Sequence, residues 1–235
     1  MILTYSGRSR RGAEAIAEAS DMEISLNRGY NGDVNWGRNL ANTKLNPDIS
    51  NCTNKRVMRE LFRLKDVPMP KLYTLHEAHN MALEGKTMVG RPDHHLQGRG
   101  FWIVKDNASF MRALKGTRRK RAATHFMDFV EADREYRVHI FKGKSIRISE
   151  KIWTGEIHPK TRRKFYTTGR PQNRTKHVRQ AAKQAVQALG LDFGAVDILA
   201  TNDECWVLEV NAAPGLGGSM PKLYADTFLR WERGE

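Results

Sequence analysis

Cysteine is almost missing from this chain of 235 residues: Cys52 and Cys205 are the only two, and they are far apart. One optional disulfide would not define a fold of this size, so both are read as reduced thiols and a disulfide-framework scaffold is excluded. Long apolar runs are also missing. Nothing approaches the roughly 18 residues of a membrane span, and Met1 to Gly12 has no hydrophobic core of a signal peptide, so a soluble, cytoplasmic protein without a membrane partner is expected. There is no internal repeat. Acidic residues are in short supply, 26 Asp plus Glu against 40 Lys plus Arg, for a net charge of +14. That balance favours a polyanionic partner, whether nucleotide, acidic peptide or nucleic acid. The densest basic clusters are Arg118-Arg119-Lys120-Arg121 and Lys160-Thr161-Arg162-Arg163-Lys164; solvated loops explain them as readily as binding does.

The most informative segment present runs from Gly194-Ala195-Val196-Asp197-Ile198-Leu199-Ala200 through Thr201-Asn202-Asp203-Glu204 to Cys205-Trp206-Val207-Leu208-Glu209-Val210-Asn211. Two apolar runs around a short polar stretch predict an antiparallel hairpin, and the simplest register centres it on Asp203, with Asp197 opposite Glu209. Strand alternation then puts Asn211 on the face of Asp197 and Glu209, and Val196, Ile198, Ala200, Trp206, Leu208 and Val210 on the other. Directly opposed like charges destabilise a sheet unless something neutralises them. A hard cation with oxygen ligands would, and Mg2+ typically takes one or two carboxylates plus substrate phosphates. A surface hairpin with solvated acids and a shifted register is the alternative.

Elsewhere, Met1 to Tyr5 reads as a strand and Ala13 to Ala19 as a helix, while Leu26 to Asn51, rich in Gly, Asn and Asp, reads as mostly loop. A helix is expected from about Asn54 to Lys65, capped by Thr53 or Asn54, with Val57, Met58, Leu61, Phe62 and Leu64 as its apolar stripe. A helix near Leu75 to Leu83 precedes two strands, Thr87 to Arg91 and Phe101 to Val104, and a further segment covers Thr124 to Val130. Glu135 to Phe141 and Ser145 to Lys151 form a second hairpin about Gly143, pairing Ile140 with Ile146 and Val138 with Ile148. Its polar face carries Glu135, Arg137, His139, Arg147 and Lys151. A basic loop from Thr154 to Arg174 leads to a helix from about Thr175 to Leu189.

Between the strands of the first pair, Gly98, Arg99 and Gly100 would let backbone N–H groups approach phosphate oxygens, although an ordinary hairpin tip reads the same way. His94 and His95 have no spaced partner for a zinc site. Glu135 opposite Lys151, with Arg137 beside it, is either a structural ion pair or a set in which the cations neutralise phosphates and the acid accepts ribose hydroxyls.

The order of these pieces resembles the ATP-grasp superfamily, specifically the ribosomal-protein glutamate ligase branch of carboxylate-amine ligases. The likeness covers about Asn54 to Leu216 and is strongest in Gly190-Leu191-Asp192-Phe193-Gly194-Ala195-Val196-Asp197 and Leu208-Glu209-Val210-Asn211-Ala212-Ala213-Pro214-Gly215. It implies an α/β (α+β) ATP-grasp fold: two α+β lobes gripping the nucleotide, a small one over 54–126 and a large one over 127–235, with a reduced N-terminal α/β lobe over 1–53. It further implies ATP with Mg2+ or Mn2+, and Asp197, Glu209 and Asn211 as metal ligands. Lys55 is similar to the family's first nucleotide-binding lysine, and Arg91 stands where the family usually has its second. Asp128-Phe129-Val130 resembles the adenine-binding linker and Glu135 the ribose-binding acid. Arg137 and Lys151 match positions that contact the phosphates or the acyl phosphate, with lysine at 151 where close relatives often have arginine. The activity implied is amide or peptide bond formation between a carboxylate substrate and an amine acceptor. Arg163 and Arg170 are expected as carboxylate clamps. An ATP-grasp kinase and a non-catalytic nucleic-acid-binding protein are the rival readings, the second not favoured.

Overall fold

In a computed structural model of the protein, the described residues are 1–26, 32–39, 41–93, 101–118, 120–157, 164–169, 171 and 175–235, with backbone alone over 153–157 and 164–168. The N-terminal lobe is built from β1 (Ile2–Tyr5), α1 (Arg10–Glu18), β2 (Glu23–Ser25), β3 (Gly32–Trp36) and β4 (Thr43–Leu45). Its strands lie in the order β2-β1-β3-β4, all parallel. The expectation of mostly loop from Leu26 to Asn51 is therefore corrected. Val34 and Trp36 are fully buried, and the strand that carries them is held by pairing with β1, a distant partner that no local period reports.

The chain continues through α2 (Ser50–Thr53), α3 (Lys55–Leu64), β5 (Leu72–Tyr73), α4 (Leu75–Leu83), β6 (Met88–Arg91), β7 (Trp102–Val104), α5 (Asn107–Lys115) and β8 (His125–Asp128). Asn54 caps α3 by accepting hydrogen bonds from the backbone N–H of Arg56 and Val57. Such a cap typically contributes about 1 kcal/mol. The buried face of α3 is Met58, Arg59 and Phe62; Val57 and Leu64, expected in the stripe, are exposed. The four short strands make a second sheet, β5-β8-β6-β7, antiparallel throughout. Phe110 of α5 and Ala78 and Ala82 of α4 pack on its core with Phe126 and Trp102.

The third sheet, in the order β11-β10-β9-β12-β13, joins β9 (Arg134–Phe141), β10 (Lys144–Ile157), β11 (Lys164–Gly169), β12 (Phe193–Ala200) and β13 (Cys205–Asn211). The basic stretch expected as loop from Thr154 to Arg174 thus contains the end of β10 and the whole of β11, whose backbone is held by antiparallel pairing with β10 rather than by any local period. One face of this sheet is covered by α6 (Lys176–Ala188) and α3, around Val138, Ile140, Val196, Ile198 and Val210. The other face is divided. At one end Phe141 and Phe193 pack under the N-terminal lobe and α7 (Met220–Glu232), where Trp36 stacks on Phe193 at 5.7 Å and meets Tyr224 edge-on at 5.2 Å. His139, expected on an open polar face, lies in this covered half, 3% exposed, with Nδ1 2.9 Å from the Tyr224 hydroxyl. The opposite end stays open and carries the charged side chains.

Asn46 fastens the N-terminal lobe to the large sheet. It is fully buried with φ +51°, its Nδ2 donates to the Phe193 carbonyl at 3.0 Å, and its Oδ1 accepts from the N–H of Asp192 and Phe193 at 2.7 and 3.2 Å.

Candidate active site

The hairpin of β12 and β13 sets the centre of the site. Asp197 pairs directly with Glu209, as the simple register predicts, and Ala195 with Asn211. A bulge beyond Asp197 then shifts the ladder, so that Ile198 faces Val207 and the turn spans 201–204. Val207 therefore points into the core at 1% exposure, and Trp206 and Leu208, expected on the buried face, are only partly covered. The extra residue of a bulge reverses the facing of the residues beyond it. The second hairpin behaves alike: Glu135 pairs with Lys151 and Val138 with Ile148, but a shift next to Ile146 puts Ser145, not Ile146, opposite Ile140. The turn at Lys142-Gly143 has φ of +45° and +73°, the left-handed pair that a two-residue hairpin turn requires.

β9 lies beside β12 with Arg137 against Asp197. The guanidinium grips both oxygens of that carboxylate, Nε to Oδ1 at 2.7 Å and Nη2 to Oδ2 at 2.8 Å. Lys55, at the first turn of α3, places Nζ 3.4 Å from Glu209 Oε2. The Asn211 amide sits between the acids, 3.3 Å from Glu209 and 3.5 Å from Asp197. Burial would raise the Glu209 carboxyl, but Lys55, Asn211 and Arg91 outweigh it and hold it below the usual range. The hydrogen bond to Asp197 raises the Arg137 guanidinium further, against the opposing effect of burial. The opposed carboxylates inferred to need a cation are thus balanced by the protein's own, Arg137 on Asp197 and Lys55 beside Glu209, and the two carboxylates with the Asn211 amide are the oxygen donors a hard cation would take once Arg137 exchanges partners. Among the described residues no group of three or more His, Cys, Asp or Glu gathers as a metal site. One face of the sheet continues from this centre to Glu135 and Lys151, which form an ion pair at 2.8 and 2.9 Å.

Arg91 ends β6 opposite His125, with its guanidinium 5.7 Å from the centre of the Phe101 ring; burial lowers its pKa and Glu209 raises it. Asp128 closes β8: its N–H donates to the Lys71 carbonyl at 3.0 Å and its carboxylate accepts from the Tyr73 hydroxyl. Phe129 follows, 40% exposed, with Val130 beside it. Gly98, Arg99, Gly100, Arg163 and Arg170 lie outside the described residues.

Two buried residues near this centre escape sequence reasoning. Arg59 is 8% exposed, makes no hydrogen bond or ion pair with a described residue, and lines a small cavity with Leu72, Met127 and Leu208. Burial, and then the Arg91 charge, bring its pKa down to about 10, so it stays charged at neutral pH. Its signal was the i, i+4 spacing from Lys55, which puts both on one side of α3. The other is His125, 3.2 Å from Asp93 and held well below the ordinary imidazole range by burial and by Arg59.

Comparison with known proteins decides the family. The profile of the RimK-like ATP-grasp domain matches residues 94–227, more than half of the chain. The chain belongs to that family. No curated protein matches it in a sequence search. Similar solved structures show the ATP-grasp fold. D-alanine–D-alanine ligase from Bacillus anthracis superposes with a TM-score of 0.72 at 16% identity, over 100% of this chain and 99% of that one. The ATP-grasp ligase PsnB with minimal precursor, Mg and ADP gives 0.69 at 13%, over 97% and 96%. The RimK-domain ATP-grasp protein from Sphaerobacter thermophilus gives 0.63 at 16%, over 96% and 98%. Lys55 and Arg91 precede the matched segment.

Proposed function

We propose that this protein is an ATP-dependent carboxylate-amine ligase. The observation that carries the reading is the facing of Asp197 and Glu209, with Asn211 between them and Lys55 and Arg137 within bonding distance. Asp197, Glu209 and Asn211 would hold Mg2+, which supplies charge neutralisation on phosphate oxygens when bound. PsnB, whose fold this chain shares, was solved with Mg and ADP, which supports the choice of metal.

In the proposed reaction a substrate carboxylate attacks the γ-phosphorus of ATP, ADP leaves, and an acyl phosphate forms. An amine then attacks the acyl carbon, loses its proton and expels inorganic phosphate, leaving an amide. Negative charge grows on the transferring group, and preorganised cations lower that barrier without a covalent enzyme intermediate. Lys55, Arg91, Arg137 and Lys151 are those cations, and Glu135 accepts the ribose hydroxyls. Asp128, Phe129 and Val130 border the base, Gly98, Arg99 and Gly100 cover the phosphates, and Arg163 and Arg170 act on the substrate. The domain limits at 53/54 and 126/127 belong to the same proposal.

Incubating the protein with Mg-ATP, pooled carboxylic acids and pooled amines, and following ADP and phosphate together, tests the reading. ADP release that depends on both an acid and an amine supports a ligase. Release that needs the acid alone and yields a stable phosphorylated product overturns it in favour of a kinase.

A further inference from the structure

We infer that the N-terminal lobe recognises the acid substrate by a second anionic group, remote from the reacting carboxylate, with Arg8 and Arg38 as its partners; this rests on the ligase reading and extends it.

The first observation is topological. In the order β2-β1-β3-β4 the chain leaves β1 toward one edge of the sheet and β3 toward the other. Open parallel sheets bind ligands at such a switch point, in the crevice beyond the carboxyl ends of the two strands. Here that crevice is bordered by Ser6 to Ser9 after β1 and by Gly37 to Asn39 after β3. Ser9 ties the two borders together, with Oγ donating to the Trp36 carbonyl at 2.6 Å.

The second observation connects this crevice to the reaction centre. Gly37 has φ +90°, and a Cβ there would lie 2.6 Å from Ser9 Oγ and 3.0 Å from Ala213 Cβ. The loop after β3 is therefore packed onto the segment directly following Asn211, which only glycine permits. One cavity of about 1290 Å³ runs between them, lined by Arg8 and Arg38 from the N-terminal lobe and by Lys55 and Asn211 from the centre. Small-molecule pockets are typically about 300–1,000 Å³, so this one has room for a substrate extending well beyond its reacting carboxylate.

The third observation is charge. Among the described residues, those lining the cavity include Arg8, Arg38 and Lys55 and no Asp or Glu. Lys55 has Glu209 within 3.4 Å, but Arg8 is exposed and makes no hydrogen bond or ion pair with a described residue. The backbone of Arg38 is fixed by a fully buried amide: Asn35 Oδ1 accepts from the Arg38 N–H at 3.0 Å, and Asn35 Nδ2 donates to the Arg38 carbonyl at 2.9 Å. Arginine pairs with carboxylate or phosphate through a fork of parallel donors, and either oxyanion fits this end.

Isothermal titration of the full chain with glutarate, triglutamate, 4-phosphonobutyrate and butyrate tests the inference. The dianionic and polyanionic probes are expected to bind at least tenfold more tightly than butyrate. Arg8→Gln and Arg38→Gln should each reduce that preference at least fivefold, Arg38→Lys should keep part of it, and Arg118→Gln, outside the crevice, should not change it. The tighter of the carboxylate and phosphonate probes identifies the remote group. No preference over butyrate, no measurable binding of any probe, or an equal loss in Arg118→Gln would overturn the proposal. Titration of the unaltered chain with Mg-ATP is a separate arm: failure there removes the ligase reading and leaves the acid-binding result to stand on its own.

Discussion

Replacing Asp197 with Asn separates the structural role of this carboxylate from the metal-binding role proposed for it. In the fold, Asp197 gains two charged hydrogen bonds from Arg137. Arg137 is 41% exposed and Asp197 13%, so solvent screens the pair, and its contribution is set at about 1–2 kcal/mol between exposed and buried cases. The same substitution relieves the repulsion between opposed Asp197 and Glu209, about 0.2–1 kcal/mol for a cross-strand pair. The net loss is about 1 kcal/mol, or a fall in Tm of roughly 2–4 °C for a chain of this size. Nucleotide binding should respond far more. A divalent cation would need carboxylate oxygens that Arg137 now occupies, so the guanidinium must exchange partners, and a phosphate is the partner available to it. The amide in Asp197→Asn offers one neutral oxygen in place of a charged carboxylate, and losing a comparable electrostatic contact typically costs about 2.7–4 kcal/mol. That corresponds to a roughly 100- to 1,000-fold weaker Kd for Mg-ATP. Thermal unfolding and calorimetric titration, run with Mg-ATP and with ATP in EDTA, measure both. A Mg-ATP affinity within about threefold of the unaltered protein, or a stability loss above about 3 kcal/mol with binding intact, would refute the assignment and make Asp197 a purely structural anchor for Arg137.

The contacts set three further outcomes. Arg59→Met, which removes a buried charge without a hydrogen-bond partner among the described residues, should leave urea-unfolding stability within about 1 kcal/mol or raise it, yet weaken Mg-ATP binding about tenfold in the same titrations; a stability loss above about 2 kcal/mol would make the guanidinium structural. The His139 imidazole is pushed down to about 4, by burial first and then by Arg137 and Arg147. Between its unfolded value of about 6.5 and 4 the unfolded chain binds the extra proton, so stability is present above about pH 6.5 and falls by about 1.4 kcal/mol per pH unit as pH drops through that window. His139→Gln should flatten urea-unfolding stability against pH by that slope, and an unchanged slope would contradict the argument. Asn46→Ala removes three buried hydrogen bonds at φ +51° and should cost about 3–5 kcal/mol, a Tm fall of roughly 6–20 °C.

The features legible in the sequence were local ones. Asp197 opposite Glu209 and Glu135 opposite Lys151 come from strand alternation counted from a turn, and both pairings stand. The same counting failed beyond each bulge, because one unpaired residue changes facing without changing composition; Val207 took the core position given to Leu208, and Ile146 slipped out of its pairing with Ile140. The N-terminal sheet failed for a different reason. Parallel strands recruit partners across intervening chain, so β3 and β4 carry no period of their own, and the burial of Trp36 becomes evident only when Phe193, Tyr224 and Phe228, far along the chain, close over it. Arg59 was hidden by the usual meaning of arginine on a helix, which is solvent exposure. The N-terminal sheet and Arg59 fail where a distant element overrides a local rule, and both border the candidate site, whereas each bulge breaks the count within a single hairpin. The carboxylate pair can be read from one hairpin because its geometry is set within that hairpin. The surfaces proposed to select the acid and the nucleotide are assembled from loops and helices that meet only in the folded chain, so discrimination among substrates would be encoded non-locally.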